Sequence, residues 1–184
     1  MKKIIISILP IFLPFALTVT LICGLFYVCL QQNYRMNAND PQIQIAEDIA
    51  TQLNKGNPPL YYIPSIKIDI SNSLGTFISV YDENGKVLGS SALLNEKIPQ
   101  IPQGVITSTR QNGESRLTWQ PEGNVRIALV MVHYKQAKGG FVAIGRSLKE
   151  VEIRIENMTK MVFIGWVLTL FSVFSLLYIQ KKLH

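Results

Sequence analysis

Cysteine is scarce in the 184-residue chain: there are two, Cys23 and Cys29, and both lie inside the first apolar run. The stretch between the apolar runs therefore has neither a disulfide framework nor a thiolate zinc site. Cys23 is not read as a lipidation site, because bulky Ile22 precedes it where a bacterial lipoprotein signal carries Gly, Ala or Ser. Histidine is equally scarce, with His133 and the final His184. Charge is missing from two long stretches, since Ile4 to Leu30 and Met161 to Ile179 contain no Asp, Glu, Lys or Arg. Each exceeds the roughly 18 apolar residues that a bilayer-spanning helix needs. No A-x-A-like cleavage site follows the first run, which is about twice as long as a signal-peptide core, so an uncleaved anchor is expected. Catalytic signatures are also absent: there is no G-x-S-x-G, P-loop, H-E-x-x-H or EF-hand loop. No catalytic residue, metal site or cofactor is expected, and the chain reads as a non-enzyme.

The charge that is present collects at the ends of the apolar runs. The net charge is +6, and Lys2, Lys3, Lys181 and Lys182 contribute four of the positive charges. The intervening segment mixes acids and bases, so the basic balance points to membrane-end anchoring and not to nucleic acid. The same lysines place both termini in the cytoplasm by the positive-inside tendency. The expected organisation is a cytoplasmic N-terminus (1–3), a first span (4–30), an extracytoplasmic domain (31–160), a second span (161–179) and a cytoplasmic tail (180–184). Removing the spans leaves about 130 residues, enough for one domain with a modest core.

Within the first span, Pro10 and Pro14 remove backbone donors and are expected to bend its cytoplasmic half. Ala16, Thr20 and Gly24 fall four apart and share one helix face; Gly165, Thr169 and Ser172 make a second small face in the other span. Such faces let helices approach closely, either the two spans or a span and a partner copy of the chain.

Between the spans, Asn39-Asp40-Pro41 is a helix-start signal, with Ile43, Ala46, Ile49, Ala50 and Leu53 forming one apolar face. Gly56 and Asn57-Pro58-Pro59 end that helix. Leu60 to Gly75 reads as irregular, with a short strand over 65–70. Phe77–Tyr81 and Lys86–Ser91 are β-rich runs joined by Asp82-Glu83-Asn84-Gly85, whose Asn-Gly pair marks a hairpin. A short helix is expected near Gly104 to Arg110. Strands follow at Ser115–Gln120, with Leu117 and Trp119 on one side, and at Val125–Tyr134 and Gly140–Arg146. Val125–Tyr134 is apolar on both faces, the mark of a strand covered on each side. Ser147-Leu148-Lys149-Glu150 is a capping box opening a helix that runs into the second span. The fold class is α+β: an antiparallel sheet of about five strands with flanking N- and C-terminal helices, between two transmembrane helices.

This order of parts, with the stretches Asn39–Asp48, Val80–Leu88 and Gly145–Glu152, resembles the extracytoplasmic PAS-like sensor regions of bacterial sensor histidine kinases. The resemblance implies a helix leaving the first span, a hairpin and three more strands, and a last helix re-entering the bilayer. It also implies a concave sheet face with a few polar groups among apolar ones. By residue type the ligand-binding candidates are Tyr81, Trp119, Arg126, His133 and Arg146. Arg126 and Arg146 are either anion anchors or rim partners of Asp82 or Glu122. Trp119 is either packing or a ligand platform, and His133 either a titrating sensor or a structural side chain. The sequence ends at His184, just after Lys181-Lys182, so the resemblance carries no kinase activity with it. The expected function is a membrane-anchored sensor or accessory signalling subunit in the bacterial inner (plasma) membrane. Its domain faces the periplasm or exterior and it acts through a homodimer or a membrane receptor kinase. The alternative is a structural module stabilising a membrane or envelope complex.

Overall fold

A computed structural model describes residues 2–37, 40–135 and 139–183. Asn39 of the helix-start signal, the side chains of Lys2 and Lys3, and His184 lie outside the described residues. In chain order the elements are helices α1 (Lys2–Asn37) and α2 (Asp40–Asn54), a 3-10 turn (Pro59–Tyr62), and strands β1 (Ile68–Asp69), β2 (Thr76–Asp82), β3 (Val87–Ser90) and β4 (Ala92–Leu93). Helix α3 (Gln103–Asn112), strands β5 (Glu114–Glu122), β6 (Val125–Tyr134) and β7 (Gly140–Ser147), and helix α4 (Lys149–Leu183) complete it. The described residues divide into two units, one within 35–152 and a helical pair within 2–34 and 153–183.

The domain unit is an α+β fold on one antiparallel five-stranded sheet, ordered β3-β2-β7-β6-β5. The Asn-Gly signal forms the β2–β3 hairpin as expected. Asp82 N–H donates to the Lys86 carbonyl at 2.9 Å, and Gly85 takes the positive φ (82°) that the turn requires. β7 is the middle strand and β6 lies beside it, which explains why both read as nearly continuous apolar runs.

Each sheet face carries its own core. On one, Ala46, Ile49, Ala50 and Leu53 of α2 pack on Val80, Val130, Val142 and Ile144. On the other, Ile106 of α3 with Ile70, Ala92, Leu94 and Ile101 covers Phe77, Ile127, Leu129, Met131 and Phe141. The 3.6-residue spacing of α2 and the alternation of β6 therefore meet as predicted. The irregular connection is also present, although its strand is only Ile68–Asp69, paired in parallel with Ala92–Leu93. There the Asp69 carboxylate accepts from Ser71 Oγ and N–H and from Asn72, and these bonds hold its pKa below the usual value.

One α2 position breaks the pattern. Gln42 is fully buried, and neither its amide oxygen nor its nitrogen has a hydrogen-bond partner among the described residues. A buried, unpaired amide costs about 1–3 kcal/mol. Gln42→Met, which keeps the length and drops the amide, is expected to raise the thermal unfolding midpoint. A lowered midpoint would show that the amide is satisfied in solution.

In the helical unit, windows of 18 residues reach mean hydropathies of 2.4 in the N-terminal and 2.2 in the C-terminal apolar segment. Both helices are long and apolar enough to cross a membrane. No described residue of α4 is buried, which argues against a soluble core helix, and in α1 only Ile8 is buried among the described residues. Helix α1 continues through Pro10 and Pro14.

α1 meets α4 through bulky side chains. Phe12 packs edge-on against Phe174 at 5.6 Å, and Trp166 Nε1 donates to Thr20 Oγ1 at 2.9 Å. Of the two small-residue faces, Thr20 takes part in this contact; a Cβ added at Gly24 or Gly165 would meet nothing within 4 Å, and Thr169 and Ser172 are exposed. Ala16 is half-covered and its carbonyl accepts from Thr20 Oγ1. The aromatic contacts leave an apolar groove of about 260 Å³ beside Thr20, Cys23, Gly24, Tyr27, Phe163 and Trp166.

Candidate functional site

The five candidate ligand residues do not converge. Tyr81 and Trp119 are buried members of the core under α3, and burial pushes the Tyr81 phenol up to about 12. Arg126 and Arg146 lie on the opposite, α2-covered face, with Val130 and Val142 of their own strands. They are ion-paired, with neither Asp82 nor Glu122, the rim partners weighed against an anion-anchor role. Arg126 Nη1 bonds Glu152 Oε1 at 2.5 Å, and Arg146 Nη2 bonds Glu150 Oε2 at 3.3 Å. Both acids belong to the first turn of α4, which the chain direction after β7 brings back over the strand ends. Arg146 Nε also donates to the Leu74 carbonyl at 3.1 Å, and Leu148 N–H to the Arg126 carbonyl at 2.8 Å. The capping Ser147 accepts from Lys149 N–H at 3.3 Å. The first turn of α4 is thus tied to the two innermost apolar strands, β6 and β7.

His133 belongs to a different cluster at the other end of those strands. The β2–β3 turn presents Glu83, α3 presents Arg110 from its last turn, β6 presents His133, and β7 supplies Phe141. His133 Nε2 lies 3.0 Å from Glu83 Oε2, and Arg110 Nε bonds Glu83 Oε1 at 3.1 Å. Arg110 Nη2 also donates to the Glu83 carbonyl. The buried Phe141 ring stacks on His133 (4.8 Å, 22°), and the Arg110 guanidinium carbon sits 5.4 Å from its centroid. An ionised carboxylate only accepts, so Nε2 is the donor to Glu83, while Nδ1 is buried without a partner among the described residues. This is a carboxylate gripped by two nitrogen donors, each backed by the same ring.

Partial desolvation is the largest single influence on Glu83 and would raise its pKa, but the hydrogen bonds and charges of His133 and Arg110 together outweigh it and hold the pKa below the ordinary carboxylate value. A depressed folded-state pKa gives stability that is present above the unfolded value and lost as pH falls through the folded one. The side chain is 40% exposed, so the contribution is small. The unfolding midpoint is expected to fall as pH drops from about 6 to about 3, and Glu83→Gln is expected to make that fall shallower. Equal slopes in the two proteins would refute the role given to Glu83.

Neither Glu83, Arg110 nor Phe141 was singled out by sequence. Their partners stand 27 and 50 residues apart in the chain, so no local motif joins them. The one available signal was the acidic pair Asp82-Glu83 inside the hairpin turn. Among the described residues no three His, Cys, Asp or Glu side chains converge as metal ligands would. Arg110 beside Glu83 and His133 would also repel a cation. Compared with known proteins, the chain matches no family model and no curated protein.

Proposed function

We propose that the chain is a membrane-anchored sensor or accessory signalling subunit without catalysis of its own, whose PAS-like domain lies outside a bacterial inner membrane. The observation that carries this reading is the attachment of α4. Its first turn is held to β6 and β7 by Arg126–Glu152 and Arg146–Glu150, and the same helix continues unbroken through 161–179. A rearrangement of those strands would be passed along α4 to the apolar segment as a shift or rotation of that helix. The hairpin, the three further strands and the flanking helices are the order of parts that the resemblance implies. Both termini lie in the cytoplasm, and output passes through a partner receptor kinase in the bilayer.

The structural-module alternative is favoured by a specific feature: Leu60, Tyr61 and Ile66 of one irregular segment are exposed by 64%, 82% and 78%. Photocrosslinking from the second apolar segment in native membranes separates the two. The sensor reading expects a receptor kinase among the products, with a pattern that changes when Arg126 and Arg146 are replaced by alanine. Recovery of envelope-assembly proteins alone, unaffected by those substitutions, would establish the structural module instead.

A further inference from the structure

We propose that Arg110 and His133 form a binding seat for a small free carboxylate, and that Glu83 occupies this seat as a tethered resident when the ligand is absent. The seat stands on the side-chain geometry alone. Its meaning as the domain's signal input rests on the sensor reading above.

Three features separate it from an ordinary surface ion pair. First, the two donors address separate oxygens of one carboxylate, at 3.1 and 3.0 Å, which is how a carboxylate is recognised. Second, the donors are held by groups other than the Glu83 carboxylate, Arg110 in part by its Nη2 bond to the Glu83 main-chain carbonyl. Phe141 is fully buried, stacks on His133 and lies beneath Arg110, so both nitrogens keep their aim if the carboxylate departs. The His133 side chain is only 9% exposed, and its buried Nδ1 has no partner among the described residues. Third, the occupant comes from a turn, and its side chain is 40% exposed. It leaves by side-chain rotation while the turn keeps its own bonds, Asp82 Oδ1 with Lys86 N–H at 2.8 Å and Gly85 N–H with the Asp82 carbonyl at 3.0 Å. Gly139 closes one wall: a Cβ there would stand 2.9 Å from Glu83 Oε2, so the space suits a small ligand.

Beyond its Cβ, a glutamate side chain is a methylene and a carboxylate, the heavy atoms of acetate. Glu83→Ala therefore empties the seat of one acetate equivalent. The experiment uses the full chain in nanodiscs and follows the thermal midpoint against sodium acetate, with sodium chloride at equal ionic strength as reference. Glu83→Ala is expected to show a saturable rise with acetate. Wild type should saturate only at roughly tenfold or more higher concentration, because Glu83 competes. Glu83→Ala combined with Arg110→Gln should respond as it does to chloride.

An acetate response of Glu83→Ala no larger than that of the double variant would overturn the proposal. Should Glu83→Ala not fold, the His133 ring resonances of the wild-type protein give the second readout. Saturable shifts with acetate support the seat, and resonances that move only as with chloride refute it. A failed acetate response removes the seat and leaves the sensor reading to the crosslinking test. A saturable response with an unchanged crosslinking pattern supports the seat and removes its signalling role.

Discussion

Replacing Gly140 with alanine is expected to lower the unfolding midpoint of the domain by roughly 10 °C or more, a loss of about 3 kcal/mol. Gly140 opens β7 between its two neighbours, in register with Asp82 of β2 and Tyr134 of β6. Its φ is 152°, and a Cβ at that position would lie 2.2 Å from the Tyr81 carbonyl oxygen and 2.7 Å from the Tyr134 hydroxyl. The hydroxyl belongs to the buried Tyr134 ring, whose Cζ would also stand at 3.0 Å, so it can give way only if the ring moves. The carbonyl is main chain of a paired strand whose Tyr81 side chain is buried, so relief requires the β2–β7 ladder to open at its end. Gly104 supplies the control: it lies inside α3, and a Cβ there would meet nothing within 4 Å. Gly104→Ala is expected to be neutral or to stabilise by up to about 1 kcal/mol, since alanine is the better helix former. Trp119 fluorescence in a Trp166→Phe background reports both changes. A Gly140→Ala midpoint within 3 °C of the parent, roughly 1 kcal/mol or less, would refute the steric argument.

What was legible in the sequence follows from which interactions are local. The β2–β3 hairpin was readable because Asn84-Gly85 dictates its own turn, and β6 because alternating side chains must meet two covered faces. Helix α2 was readable from its apolar spacing and its start and stop signals, with the exception of Gln42, which sits on the buried face where the apolar pattern gave no reason to place an amide. The membrane-spanning length of the two apolar segments follows from composition. Contacts that depend on how elements return to one another were not readable. For Arg126 and Arg146 the sequence leaves an anion anchor and a rim pair with Asp82 or Glu122 both open; their partners are Glu152 and Glu150, because α4 folds back over the strand ends. The small-residue faces leave open whether they meet the other apolar helix or a partner copy, and spacing alone does not show that Phe12, Phe174 and Trp166 make the contacts between α1 and α4. Likewise His133 stands in the sequence as an isolated histidine. Only the sheet order brings it to Glu83 of a turn and Arg110 of a helix.

Phe141→Ala is expected to cost about 3–5 kcal/mol, the range for truncating a fully buried phenylalanine, and so to remove a large part of a typical domain's stability. The ring is fully buried in the core that also holds Phe77, Leu129 and Met131. Its edges fill that core, while its surroundings at the sheet end include the His133 ring and the Arg110 guanidinium. The two roles separate with Phe141→Leu, which retains most of the aliphatic contact and is expected to cost about 1 kcal/mol. Leucine has no ring to stack on His133 or to sit beneath Arg110, so both donors lose their backing while the strand stays packed. The hold on the Glu83 carboxylate then weakens, its pKa moves back toward its ordinary value, and the acid-side fall in midpoint becomes shallower than in wild type. Thermal scans at a series of pH values on the two variants and the parent test both parts. A Phe141→Ala midpoint close to wild type would refute the packing role. A Phe141→Leu acid slope equal to wild type would show that Arg110 and His133 hold Glu83 without the ring.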